Sequence, residues 1–104
     1  MKLPLFGIKA WNAWDKAENK PGKRLGTSYS CLKLKNRGPV LVNVKVPGEP
    51  VVTDEAIRES FKAQTVIWAD FTEYEEDSYS RSGVTFYTAT ATGVHLVDDV
   101  LDIS

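Results

Sequence analysis

Two alternating runs on either side of a short turn constrain this chain more than any other stretch of it. From Ser28 to Lys35, Leu32 and Leu34 fall on one face, and Tyr29, Cys31, Lys33 and Lys35 on the other. Asn36-Arg37-Gly38 supplies turn chemistry, and Pro39 opens a second run. There Val40, Val42, Val44 and Val46 alternate with Leu41, Asn43 and Lys45, up to Pro47-Gly48. Period-two alternation around a glycine-containing turn predicts an antiparallel hairpin with one buried face. With valines and leucines inward, Lys33, Lys35 and Lys45 point outward together with Asn43 and Tyr29, and Arg37 sits at the tip.

The flanking segments are less regular. Residues 3–11 (LPLFGIKAW) read as a strand, with Pro4 placed where an edge tolerates it. Residues 12–26 are polar, contain Pro21-Gly22 and read as a long basic loop carrying Lys16, Lys20, Lys23 and Arg24. A helix is expected from Asp54 to Ala63. Thr53 is its N-cap, Asp54 and Glu55 complement its positive end, and Ile57 and Phe61 share a face. Residues 65–73 read as a strand with Trp68 in the core, residues 74–82 as an acidic loop, and residues 83–92 as a last strand. Gly93 separates that strand from residues 94–97, and an acidic tail fills 98–104. The resulting order is five strands with one helix between the third and fourth. It predicts a mainly β domain over 1–104, a small OB-fold-like barrel.

Charge is segregated along this frame. Residues 1–49 hold ten Lys/Arg against three Asp/Glu, and residues 50–104 hold three against eleven. The net charge of −1 therefore conceals a basic half and an acidic half. Such asymmetry points to an anionic partner for the basic part.

Catalysis has little to draw on. Cys31 and His95 are the only cysteine and the only histidine, far apart in sequence, and both read as structural. There is no phosphate-cradling glycine loop and no metal-ligand spacing. The cluster Glu73, Glu75, Glu76 and Asp77 lacks the spacing of a calcium loop and reads as solvated. No cofactor, metal or small-molecule substrate is expected, and the chain reads as a non-enzyme. A lone cysteine fits a reducing, cytoplasmic setting. The first residues are too short and too soon charged for a secretory signal, and no apolar run is long enough to span a bilayer.

A basic face with aromatic rings suits single-stranded nucleic acid. Cations replace counterions along the phosphates, and flat rings stack on bases of any sequence. The expected interface comprises Lys16, Lys20, Lys23, Arg24, Tyr29, Lys33, Lys35, Arg37, Asn43 and Lys45. Trp11 and Trp14 are further platforms, with Trp68 and Tyr74 as contributors. The acidic stretch 74–82 opposes this reading wherever it closes over that face, unless it points away or meets a basic surface on another copy.

The stretch Cys31-Leu32-Lys33-Leu34-Lys35-Asn36-Arg37-Gly38-Pro39-Val40-Leu41-Val42, followed by Gly48-Glu49-Pro50, resembles the small single-stranded-DNA-binding proteins of filamentous phages. Gly22-Lys23 lies upstream in a similar place, and Gly93-Val94-His95-Leu96-Val97 matches more loosely. The resemblance covers about 30 residues. It implies an OB-like homodimer that coats single-stranded DNA during replication, without catalysis. The chain departs from that pattern in its length, its helix and its acidic loop and tail. It is also similar to small OB-like accessory proteins of conjugative elements. Both likenesses imply a phage or mobile-element protein binding single-stranded DNA. The alternative is a phage or mobile-element protein-interaction module, an inhibitor or assembly factor with no nucleic-acid role.

Overall fold

The computed structural model describes residues 1–97; the acidic tail at 98–104 lies outside them. Among the described residues are seven strands and one helix. They are β1 (Lys2–Asp15), β2 (Lys20–Lys35), β3 (Gly38–Pro47), α1 (Asp54–Lys62), β4 (Trp68–Thr72), β5 (Glu75–Arg81), β6 (Val84–Thr90) and β7 (Gly93–Leu96). The strands form one open sheet in the order β5-β6-β3-β2-β1-β4-β7. β3 and β6 run parallel, and every other neighbouring pair is antiparallel. The mainly β class is as expected. The strand count is seven rather than five, and the sheet is not closed into a barrel.

The two extra strands are β5 and β7, the latter being the segment that Gly93 sets apart, and two stretches whose polarity suggested loops are strand instead. Residues 12–26 form the outer halves of β1 and β2, with Asn12 opposite Arg24, Trp14 opposite Pro21 and Asp15 opposite Lys20. The turn lies at 16–19, where the Asp15 carboxylate accepts from the Ala17 and Glu18 N–H groups and Asn19 takes the left-handed conformation, φ 55°. Asp and Asn are the residues that make such turns cheap. β2 pairs with β3 only from Gly26 onward, so residues before it project as a two-stranded arm. Gly26 marks the junction: a Cβ there would lie 2.2 Å from the Val46 carbonyl oxygen, so only glycine fits.

Residues 75–81 likewise form a strand, not a loop. Arg81 pairs with Val84 across Ser82 and Gly83, both at positive φ (55° and 80°). That two-residue geometry matches the twist of a hairpin, and glycine relieves its second position.

The β2–β3 hairpin forms as expected, but its faces do not. Lys35 pairs with Gly38, which leaves only Asn36 and Arg37 in the turn. Val42 then sits opposite Cys31 and Val44 opposite Tyr29. Because cross-strand partners share a face, the valines carry Tyr29 and Cys31 into the core, both 0% exposed. Leu34 and Leu41 turn outward instead, at 79% and 59% exposure. A turn one residue longer would have placed Leu32 and Leu34 with the valines, and a one-residue slip moves every side chain to the other face.

Around Tyr29 and Cys31 the core gathers Leu3, Leu5, Val42, Val44, Val46, Ile57 and Phe71. Tyr29 meets Phe71 edge-on at 5.7 Å, and its hydroxyl accepts from the Val51 N–H at 3.1 Å. Each such side chain contributes about 1.5–3 kcal/mol when fully buried. The helix falls where expected. Thr53 Oγ1 accepts from Ala56 N at 3.0 Å, Ile57 enters the core, and Phe61 packs on Phe6 at 5.4 Å. Trp68, expected inside, is 40% exposed at the start of β4. Ala69 and Phe71 take the inward positions of that strand. No helix among the described residues is long and apolar enough to cross a membrane.

Candidate functional site

On the face of the sheet opposite the core lies an open groove of about 780 Å³. Its floor is built from rows of cross-strand neighbours. One row runs Lys9, Ser28, Lys45; the next contains Asn43 and Thr88. One wall is Trp11, on the same face of β1 as Lys9. The other is the β5–β6 hairpin, where Tyr79 and Phe86 stack at 5.2 Å with a 22° tilt and stay 55% and 43% exposed. Lys45 Nζ stands 5.9 Å from the Trp11 ring centre. Neither Lys9 nor Lys45 has an ion-pair partner among the described residues. Ser30 Oγ donates to Asn43 Oδ1 at 3.0 Å, which orients the Asn43 amide over the floor.

The acidic stretch divides by strand alternation. Glu75, Asp77 and Tyr79 face the groove side of the edge strand, and the two carboxylates line a neighbouring recess with Lys45 and Thr88. Glu76 points to the opposite face. There Lys33 Nζ donates to its Oε1 at 2.8 Å, Lys35 Nζ donates to its Oε2, and the Tyr74 hydroxyl donates to Oε1 at 2.7 Å. Burial pushes the Glu76 carboxyl up, but the hydrogen bonds from Lys33, Lys35 and Tyr74 outweigh it and hold it at about 2. Burial, then the bond to Glu76, pushes the Tyr74 hydroxyl upward. The two ammonium groups also sit over aromatic rings, Lys33 on Tyr74 at 5.1 Å and Lys35 on Tyr87 at 4.8 Å.

The sequence-predicted interface residues therefore separate. Trp11, Asn43 and Lys45 come together in the groove. Tyr29 is in the core, and Lys33 and Lys35 are neutralised by the chain's own carboxylate on the other face, so the expected continuous trough of lysines does not form. Tyr74 is half-buried beside them. Lys16, Lys20, Lys23, Arg24 and Trp14 lie on the projecting arm, with Trp14 57% exposed. Lys20 pairs with Glu18 at 2.6 Å. Arg24 donates to the Gly26 carbonyl and Thr27 Oγ1, with Glu49 at 3.9 Å. Arg37 is exposed at the hairpin tip, beside a separate small recess shared with Leu34 and Tyr87. Trp68 lies beside Met1, Pro4 and Leu34, away from the groove.

Sequence reasoning missed Lys9, Ser28, Tyr79 and Phe86. The available signal was Ser82-Gly83 between two alternating runs, which would have paired Tyr79 with Phe86. Burial pushes the Cys31 thiol up to about 12, which leaves it protonated and inert, whereas His95 is an exposed residue 3.7 Å from Asp70.

Comparison with protein-family models, curated proteins and solved structures finds no match to this chain.

Proposed function

We propose that the chain is a non-enzymatic binding protein for single-stranded nucleic acid, DNA by preference, and that the groove is its interface. The single observation that carries this reading is the pairing of unpartnered lysines with accessible rings in one trough: Lys9 and Lys45 on the floor, the half-buried Trp11 on one wall, and the exposed Tyr79 and Phe86 on the other. Cations there meet phosphates, and the rings offer stacking surfaces worth about 1–3 kcal/mol per base. Lys16 and Lys23 on the arm extend the positive field beyond the groove.

The strand pairing supports an OB-like interpretation of the open sheet. β1 is shared between β2 and β4, and β3 takes a parallel partner. β6 and β7 follow one another through Ala91, whose N–H bonds to the Lys45 carbonyl, and Thr92, whose N–H bonds to that of Thr72. Taken as one bent strand, residues 84–96 give a five-strand order with the helix between the third and fourth, and β5 becomes an insertion. In that scheme the groove occupies the β2–β3 face between two flanking hairpins, where OB folds hold oligonucleotides. The hairpin resemblance to filamentous-phage proteins supports a phage or mobile-element role in replication, as a homodimer in the cytoplasm.

The open β5 edge and the exposed apolar side chains Leu34, Leu41 and Val84 favour a second reading, a protein-interaction module. Tryptophan fluorescence during titration with oligo(dT) separates the two. The nucleic-acid reading expects quenching that weakens steeply with salt, is lost in Trp11→Phe and persists in Trp68→Phe. A flat titration at low salt would leave the interaction module standing.

A further inference from the structure

The geometry points to a dedicated phosphodiester subsite at Ser28, between Lys9 and Lys45, that grips one backbone phosphate of the bound strand. This inference rests on the reading of the groove as a nucleic-acid interface and adds which group it holds and where. Ser28 is 2% exposed, lines the groove, and its hydroxyl is the one buried side-chain polar atom without a hydrogen-bond partner among the described residues. Its neighbours are satisfied: Thr27 Oγ1 donates to the Gly48 carbonyl at 3.0 Å, and Ser30 Oγ donates to Asn43. A buried hydroxyl left unpaired is costly, and native structures retain few of them without a reason.

The row that holds Ser28 supplies the reason. Lys9 and Lys45 are its direct partners on either side. Adjacent strands lie about 4.8 Å apart, so the two lysines start from positions about 10 Å apart and can converge over the hydroxyl. Two cations flanking an orphan donor form a binding site for a tetrahedral anion, with charge from both sides and a directed hydrogen bond from below. In the free protein Lys45 rests near the Trp11 ring. When Lys45 moves onto the phosphate, it leaves the Trp11 ring face free for a base. Glu75 and Asp77 share a recess with Lys45 on its other side and confine the anion to the Ser28 side.

The test uses the full chain and oligo(dT) strands carrying one neutral methylphosphonate at successive positions, with affinity read by fluorescence anisotropy. Against the wild type, one position should cost roughly 10-fold or more, the scale of a hydrogen bond to a charged group. Ser28→Ala should weaken binding of all-phosphate DNA several-fold, shrink the penalty at that position and keep the wild-type salt slope, because Lys9 and Lys45 still meet the phosphate. It should melt no lower than wild type, since it removes only an unpaired group. Equal cost at every position, or full affinity in Ser28→Ala, overturns the subsite while leaving the groove reading intact. Absence of binding by wild type overturns both. Because the methylphosphonate scan uses unaltered protein, a poorly folded variant does not rescue the idea.

Discussion

Two pairs of lysines sit on the same sheet and meet opposite fates. Lys33 and Lys35 project from the core face of β2, are 22% and 26% exposed, and share the carboxylate of Glu76. Lys9 and Lys45 project from the other face, on β1 and β3, and have no carboxylate partner among the described residues. Residue type and local composition do not distinguish the pairs. Strand parity does, because it decides whether an ammonium group meets the chain's own acid or an open trough. The first pair fastens the β5 edge to the body of the sheet, and the second is available to an external anion.

The largest expected effect concerns which face is the core. Tyr29→Ala should cost about 3–5 kcal/mol of stability, the scale of an aromatic-to-alanine change in a core. Chemical denaturation checks this. A stable variant with impaired DNA binding would return Tyr29 to the surface role that its sequence context suggests.

Next comes the ion cluster. Glu76→Ala leaves two partly covered cations without their partner and should lose about 1–3 kcal/mol, discounted from the fully buried case for the remaining exposure. Its pH signature has a definite sign. Glu76 titrates at about 2 in the fold against an ordinary 4.5, so its stabilising contribution is complete above about 4.5 and is lost as pH falls towards 2. Thermal melts of Glu76→Gln should be flatter than wild type across that window. An unchanged acid limb would break the contrast between the two pairs.

The smallest effect sharpens the register. Leu34→Ser should change stability by less than about 0.5 kcal/mol, because the side chain is 79% exposed. A loss of 2 kcal/mol or more in the same denaturation assay would place Leu34 inside and invert the hairpin faces.

The helix was legible in the sequence because its signals are local: Thr53 caps, Asp54 and Glu55 follow, and Ile57 marks the buried side. The valine face of β3 was legible for the same reason. What escaped was set by chain geometry at turns. Asn36-Arg37-Gly38 looks like a three-residue turn, but Gly38 is already paired with Lys35, and that single residue moved Tyr29, Lys33 and Lys35 to the core face. Two polar stretches passed as loops because strand alternation on an exposed arm or an edge needs no apolar residues. Asp15 with Asn19, and Ser82-Gly83, were the cues to their turns. The groove was only half visible, since Trp11, Asn43 and Lys45 come from the predicted hairpin region and its approach, whereas Tyr79 and Phe86 belong to a hairpin that composition hid.

The most direct test sets the two lysine pairs against each other in one salt titration. Affinity for oligo(dT) is measured across ionic strength for wild type, Lys9→Ala/Lys45→Ala and Lys33→Ala/Lys35→Ala, each checked for folding. Each neutralised phosphate contributes about 0.7 to the slope, and Lys9 and Lys45 share one phosphate, so the first variant should fall by about 0.7 and the second should keep the wild-type slope. A reduced slope in the Lys33/Lys35 variant, with the Lys9/Lys45 variant unchanged, would contradict the assignment of the groove as the binding face.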